Sequence, residues 1–138
     1  MLALSEPIKS RLRMLAPLAG WDVRAGTDQD ADRRKVPAAD VRCVGATVAD
    51  SKAGAVMVAP VWRCVLVVQR GDAASEQLDN AIAAVICALH GWKPGEFGGR
   101  GWETLTLSGI SEPMFEDVGL VGYELIFATA ARYMSGQR

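Results

Sequence analysis

Read for the spacing of its apolar positions, the chain divides into two helical stretches and four alternating runs. Ile8, Leu12, Leu15 and Leu18 fall on one side of a first helix, and Lys9, Arg11 and Arg13 face away. Ser5 is placed to cap this helix, and Pro7 is tolerated in the opening turn, where a missing N–H costs little. Pro17 disfavours helical geometry at Ala16, so the helix should end near there. Residues 24–38, "RAGTDQDADRRKVPA", are polar and aperiodic and read as a long, mobile, charged loop. From Val41 the period changes to two. "VRCVGATV" reads as a strand, "ADSKAGA" as a turn and "VMVAPVWRCVLVVQR" as a long second strand. Pro60 within this run predicts an edge, a bend or a bulge. Beyond it, Trp62, Cys64, Leu66 and Val68 share one face, while Val61, Val65 and Val67 share the other with Arg63, as in a strand covered at least partly on both sides.

The segment 72–90 carries Leu78, Ile82, Val85, Ile86 and Leu89 as a stripe at helical period, with Asp72 or Ser75 to cap it. Glu76 and Asp79 lie in the early turns, where the helix dipole favours negative charge. After a glycine-rich loop at 93–101 come two further strands, "WETLTLSGI" and "GLVGYELIFATAARY", the second with Val121, Tyr123, Leu125 and Phe127 on one face. The order is α-β-β-α-β-β. Short connections between strands then predict an α+β fold, a mainly antiparallel sheet of about four strands with two helices packed on it.

The end of the second helix, "ALHGWKPG", contains the only histidine, His90. If the helix stops there, Gly91 takes the left-handed geometry that glycine reaches without strain. A Schellman cap would then set Trp92 over Ile86 or Cys87, and Pro94 would keep the helix from resuming. His90 is accounted for as part of a helix stop, favoured by the negative end of the dipole.

Composition narrows the picture further. With 138 residues, half of them hydrophobic and 22% charged, the chain reads as one domain, residues 1–138, with a real core. A net charge of -1 gives no basic field for nucleic acid. Cys43, Cys64 and Cys87 are an odd set at wide spacings within apolar-periodic segments, which suits reduced cysteines acting as small hydrophobes in a reducing compartment. No apolar run approaches the ~18–20 residues of a membrane helix, and the start lacks the order of a signal peptide. A soluble cytoplasmic protein is the expectation.

Candidate chemistry is sparse. There is no C-x-x-C pair, and a single histidine would leave a zinc ion dependent on scattered carboxylates. Asp28, Asp30 and Asp32 alternate like the opening of an EF-hand loop. Arg33 stands where glycine is needed, however, and Ala39 where the bidentate glutamate is needed. "PGEFGGRG" matches no phosphate-binding glycine motif and precedes a strand rather than a helix. No metal, cofactor or catalytic residue is predicted. Charge is distributed unevenly instead. Arg33, Arg34 and Lys35 form a basic cluster in the long loop, and Glu112, Glu116 and Asp117 an acidic one in "SEPMFED". These are either solvated loop tips or two complementary patches suited to head-to-tail association. On the second reading they are candidate subunit or partner contacts, together with Lys93 and Arg100 in the glycine-rich loop.

In order, the first amphipathic helix, the charged loop ending in "VPAADV", the strand "VWRCVLVVQR", the helix stopped by "LHGWKP" and the last strand "GLVGYELIFA" are similar to the tail terminator (tail completion) family of long-tailed bacteriophages and Mu-like prophages. The resemblance runs from about Ile8 to Phe127. It implies an α/β domain that assembles with itself as a ring, usually a hexamer, on the head-proximal end of the tail tube. Such a ring stops tube polymerisation and meets the head-completion proteins. The implied partners are further copies of the chain, the tail tube protein and a head-completion or neck protein, with no membrane and no nucleic-acid sequence recognition. The implied setting is the host cytoplasm during assembly and the virion tail afterwards. Two alternatives stay open: another neck or connector component of the virion, and a small cytosolic α/β binding module or enzyme using Cys64, His90 and loop 93–101.

Overall fold

The first apolar stripe forms α1 (Ser5–Arg13), entered from a 3₁₀ turn at Leu2–Leu4 and followed by another at Ala16–Leu18. The computed structural model describes residues 1–26 and 35–134, with 49–51 by their backbone alone. Leu4, Ile8, Leu12 and Leu18 are buried, and the helix ends before Pro17, as expected. Two details differ. Ser5 is the first helical residue rather than a cap, because the chain already turns at Leu4 and the Ser5 N–H donates to the Leu2 carbonyl. Lys9, expected to face solvent, is only 5% exposed. Its stem is covered while its ammonium reaches the Glu6 carboxylate at 3.1 Å, the usual compromise of a long cationic side chain.

Three strands follow: β1 (Asp22–Ala25), β2 (Ala38–Lys52) and β3 (Ala55–Gln69). Part of the expected loop 24–38 is therefore strand, since β1 pairs parallel with the start of β2 from Asp22↔Ala38 to Ala25↔Val41. Arg24 is buried there and bonds Asp22 at 3.0 Å. The rest of that loop at 27–34, including Asp28, Asp30, Asp32, Arg33 and Arg34, lies outside the described residues. β2 and β3 make a long antiparallel hairpin closed by only Ala53–Gly54. The turn is shorter than "ADSKAGA" suggested, because β2 absorbs extra residues at irregularities between Cys43 and Gly45 and between Val48 and Asp50.

Beyond α2 (Ala74–Leu89), a small hairpin of β4 (Gly95–Phe97) and β5 (Arg100–Trp102) precedes β6 (Thr106–Ser111), β7 (Leu120–Ala128) and β8 (Ala131–Met134). The main sheet runs β1-β2-β3-β7-β6, with β8 pairing β3 beyond the end of β7. Among the described residues it thus has six strands, not about four, and every pairing except β1–β2 is antiparallel. What read as one last strand is two. β7 pairs β3 from Val61 onward and β8 pairs it up to Val58, leaving Ala59 and Pro60 between them. Proline has no N–H to offer a ladder, so the break in pairing falls where it costs least. At the same break, the Glu103 N–H donates to the Ala130 carbonyl, and the Thr129 hydroxyl donates to the Glu103 carbonyl.

The core lies between this sheet and the two helices. Trp62, Cys64, Leu66 and Val68 of β3 point into it with Leu125 and Phe127 of β7, as their alternation predicted. α2 contributes Leu78, Ala81, Val85, Ala88 and Leu89, with Ile82 and Ile86 half-buried on its flank. Neither Asp72 nor Ser75 caps it. The N-cap position is Ala73, entered through a turn in which the Ala74 N–H donates to Gly71. Both helices pack against one side of the sheet. The other face of β3 is covered in part, as expected: Val67 is buried and Val61, Arg63 and Val65 are half-buried. The opposite face carries the ion pair Arg63–Glu124 at 3.1 Å and Asp40–Arg42 at 3.0 Å.

The helix stop is where the sequence put it, though its wiring differs. Gly91 has φ +82 and His90 is the extended C-cap residue. A Schellman motif would return the Gly91 N–H to the helix, but it donates instead to the Leu105 carbonyl at 2.8 Å, and the Leu105 N–H donates back to Trp92 at 2.9 Å. The free helix carbonyls find other donors: Arg11 Nε reaches Ala88 at 2.7 Å and the Trp92 N–H reaches Leu89 at 3.2 Å. The Arg11 guanidinium also lies over the Trp92 ring at 4.7 Å, locking α1 to the end of α2.

Two substitutions test this account. A Cβ at Gly122 of β7 would run into the Leu66 carbonyl of β3, so Gly122→Ala should destabilise the fold by about 1–3 kcal/mol in denaturant titration. Gly91→Val must place a β-branched residue at positive φ, and should cost about 1–2 kcal/mol and lower the melting temperature.

Candidate interaction surface

The chemistry-bearing residues gather at the ends of the sheet rather than in a cleft. At one end, β3 leaves the sheet at Gln69 and β7 enters opposite it at Leu120. Arg70 ties the β6–β7 loop to this end. Its Nε donates to the Val118 carbonyl at 2.9 Å, its Nη2 to the Leu120 carbonyl at 3.4 Å and its backbone N–H to the Gly119 carbonyl at 2.8 Å. Asp117 closes the loop from within, its carboxylate accepting the Gly119 N–H at 2.8 Å. Glu112 and Glu116 are exposed and pair with no described residue. Met114, between them, is 99% exposed and Val118, just after Glu116 and Asp117, is 84% exposed, so the loop carries bare apolar side chains rimmed by acids. Sequence reading found the acids but passed over Met114 and Val118, whose exposure no local periodicity reveals.

Of the basic cluster, only Lys35 is described. It is exposed and leads through Val36 and Pro37 into the start of β2, which pairs with Val67 near the same end of β3. The acidic loop and the described end of the basic segment therefore leave the sheet at the same end.

The glycine-rich loop 93–101 is a two-stranded hairpin turning on Gly98 and Gly99, with φ +65 and +80, the pair of positive φ angles that a tight hairpin requires. Lys93 is exposed ahead of it. Arg100, a candidate contact, is engaged within the chain: its guanidinium stacks over Tyr133 at 3.7 Å and donates to the Gly98 carbonyl at 3.0 Å. Trp102 is buried beside it, donating from its ring nitrogen to Phe97 at 3.0 Å and meeting Tyr133 edge-on.

The far end of the sheet holds residues the sequence did not single out. At the tip of the β2–β3 hairpin, beside β8, an open groove of about 180 Å³ is lined by Lys52, Ala55, Val56, Met57 and Arg132. Lys52 and Arg132 are both exposed, and neither is paired with a described carboxylate. They come together because Arg132 is the register partner of Met57, a long-range pairing with no local signal.

His90 and Cys64 are each engaged by the fold. His90 Nδ1 accepts the Leu107 N–H at 3.0 Å, which pins the start of β6 to the end of α2. Cys64 is sealed in the core, and burial, followed by the negative charge of Asp40, pushes its thiol up from 9.0 to about 12. Such a thiol stays protonated at neutral pH. Among the described residues no cluster of three His, Cys, Asp or Glu is placed to hold a metal ion, and no helix is long and apolar enough to cross a membrane.

Together these features define the class: an α+β domain with two helices on one face of a mainly antiparallel sheet, and with chemically different ends to that sheet. No protein-family model matches the sequence, and no curated protein matches it. Among solved structures, a chain from the virion of a native gene transfer agent (GTA) particle is similar, with a TM-score of 0.68 and 20% identity over 95% of this chain and 96% of that one. The likeness is one of fold, and it spans both chains almost end to end.

The cysteines offer a direct check. In native protein at about pH 8, iodoacetamide should modify exposed Cys87 and leave Cys64 untouched until the chain unfolds, as read by mass spectrometry of peptides. The folded thiol holds its proton above the usual 9.0, so this contribution to stability is intact below that pH and is lost as pH rises toward about 12.

Proposed function

We propose that this chain is a structural subunit of a phage-like virion, one that assembles as a ring on the head-proximal end of the tail tube, ends tube polymerisation and offers a surface to the head-completion protein. The observation that carries the reading is the end-to-end fold likeness to a chain of the GTA virion particle. It agrees with the resemblance of the sequence to tail terminators. The role is non-enzymatic. It asks for no active site, cofactor or metal, and the sealed thiol of Cys64 and the engaged Nδ1 of His90 suit it. It does ask for two different contact surfaces on each subunit, because a closed ring is built from heterologous contacts. The two ends of the sheet are suited to that demand.

Deleting the gene from the phage or gene transfer agent that carries it, then imaging the particles, tests the role. Tail tubes of uncontrolled length, corrected when the protein is resupplied, are the expected result, with ring-sized oligomers in native mass spectrometry of the purified protein. Tubes of normal length that fail to join heads would identify another neck component instead. Particles indistinguishable from the parent would overturn the virion reading.

A further inference from the structure

We infer that the acidic-rimmed β6–β7 loop of one subunit seats in the basic-rimmed groove at the hairpin tip of a second copy, an inference that rests on the ring reading above. The loop and the groove complement each other in two respects. The loop presents Met114 and Val118, both largely exposed, beside Glu112 and Glu116. The groove presents Val56 and Met57 between Lys52 and Arg132. Apolar surface meets apolar surface, and two carboxylates meet two cations, none of the four paired with a described residue.

The two features cannot meet within one molecule. The groove adjoins the first residues of β3 and the loop adjoins its last, Gln69, opposite Leu120. An extended strand rises about 3.3 Å per residue, so the ends of β3 stand roughly 45 Å apart. Complementary patches at opposite ends of a rigid strand are satisfied only between copies, and the contact is then head to tail. The loop is also prepared for such a contact. Arg70 and Asp117 hold its backbone without covering its tip, which lowers the ordering cost of binding. This contact differs from a pairing of the acidic loop with Lys35, which lies at the loop's own end of the sheet.

Self-association measured by analytical ultracentrifugation, with matched melting curves, provides the test. Glu112→Lys with Glu116→Lys should weaken association about tenfold at low salt and less at high salt, as should Lys52→Glu with Arg132→Glu. Asp117 is left unchanged because it holds the loop. Combining the four reversals in one chain should restore association, since the charges again oppose. As a direct readout, Met114→Cys with Met57→Cys, in a chain whose Cys87 is Ser, should form intermolecular disulfides on mild oxidation and give a ladder of cross-linked species. Association unchanged by either reversal, or not restored by the combination, overturns this contact while the ring reading stands. The same holds if Met114→Cys cross-links to tail tube protein but not to Met57→Cys. A parent protein that is monomeric at every concentration and also dispensable for tail length would instead remove the ring reading itself.

Discussion

The alternation of Trp62, Cys64, Leu66 and Val68 with Val61, Arg63 and Val65 along β3 decides where everything else can lie. The first set is apolar and fully inward, so both helices must pack on that side. The second set carries a charge that the ion pair with Glu124 keeps at the opposite surface. β3 is also the strand on which β2, β7 and β8 all pair, so its register sets theirs. β7 approaches it so closely at Gly122 that no side chain fits between that residue and the Leu66 carbonyl. A single long strand thus organises the core and supplies the axis along which the two ends of the molecule differ.

The end of α2 shows how polar groups that a helix leaves unpaired are used to join elements. Its last carbonyls take donors from Arg11 and Trp92, while the turn beyond it exchanges hydrogen bonds with Leu105, and His90 accepts from Leu107. Three separate pieces of chain, α1, the helix stop and the start of β6, are fastened at one place. The cost of leaving buried backbone groups unmet, about 1–3 kcal/mol each, is a sufficient reason for that convergence. His90 is then accounted for by its acceptor nitrogen.

Local pattern made the helices, the inward face of β3 and the glycine stop at Gly91 legible in the sequence, because each rests on a period or a backbone preference contained in a few residues. The failures share a different cause. β1 is a short parallel strand whose partner begins at Ala38, and nothing in "DVRA" announces that pairing. The split between β7 and β8 depends on what faces Pro60 across the sheet, and the Schellman cap was displaced by a carbonyl from Leu105. The proposed contact surface was half legible. Charge marked Glu112, Glu116 and Asp117, but the exposure of Met114 and the meeting of Lys52 with Arg132 are products of long-range register. The stacking of Arg100 on Tyr133 of β8 is likewise a product of long-range register.

Difference between the two ends matters more than the strength of either. Exposed ion pairs are worth only ~0–1 kcal/mol each, so in the proposed ring charge at these ends would orient subunits and select their direction, and apolar contact would supply the bulk of the affinity. A subunit with one self-matching patch would form two-fold dimers and stop. A subunit whose loop matches only the far end of another continues until the rotation between neighbours closes the circle, or fails to close it and makes a filament. Terminating a tube needs the first outcome. On the proposed ring reading, the property that matters is therefore the angle that one rigid subunit imposes on the next. The long hairpin of β2 and β3, held by β8 on its outer half, is the element whose stiffness would transmit that angle from groove to loop.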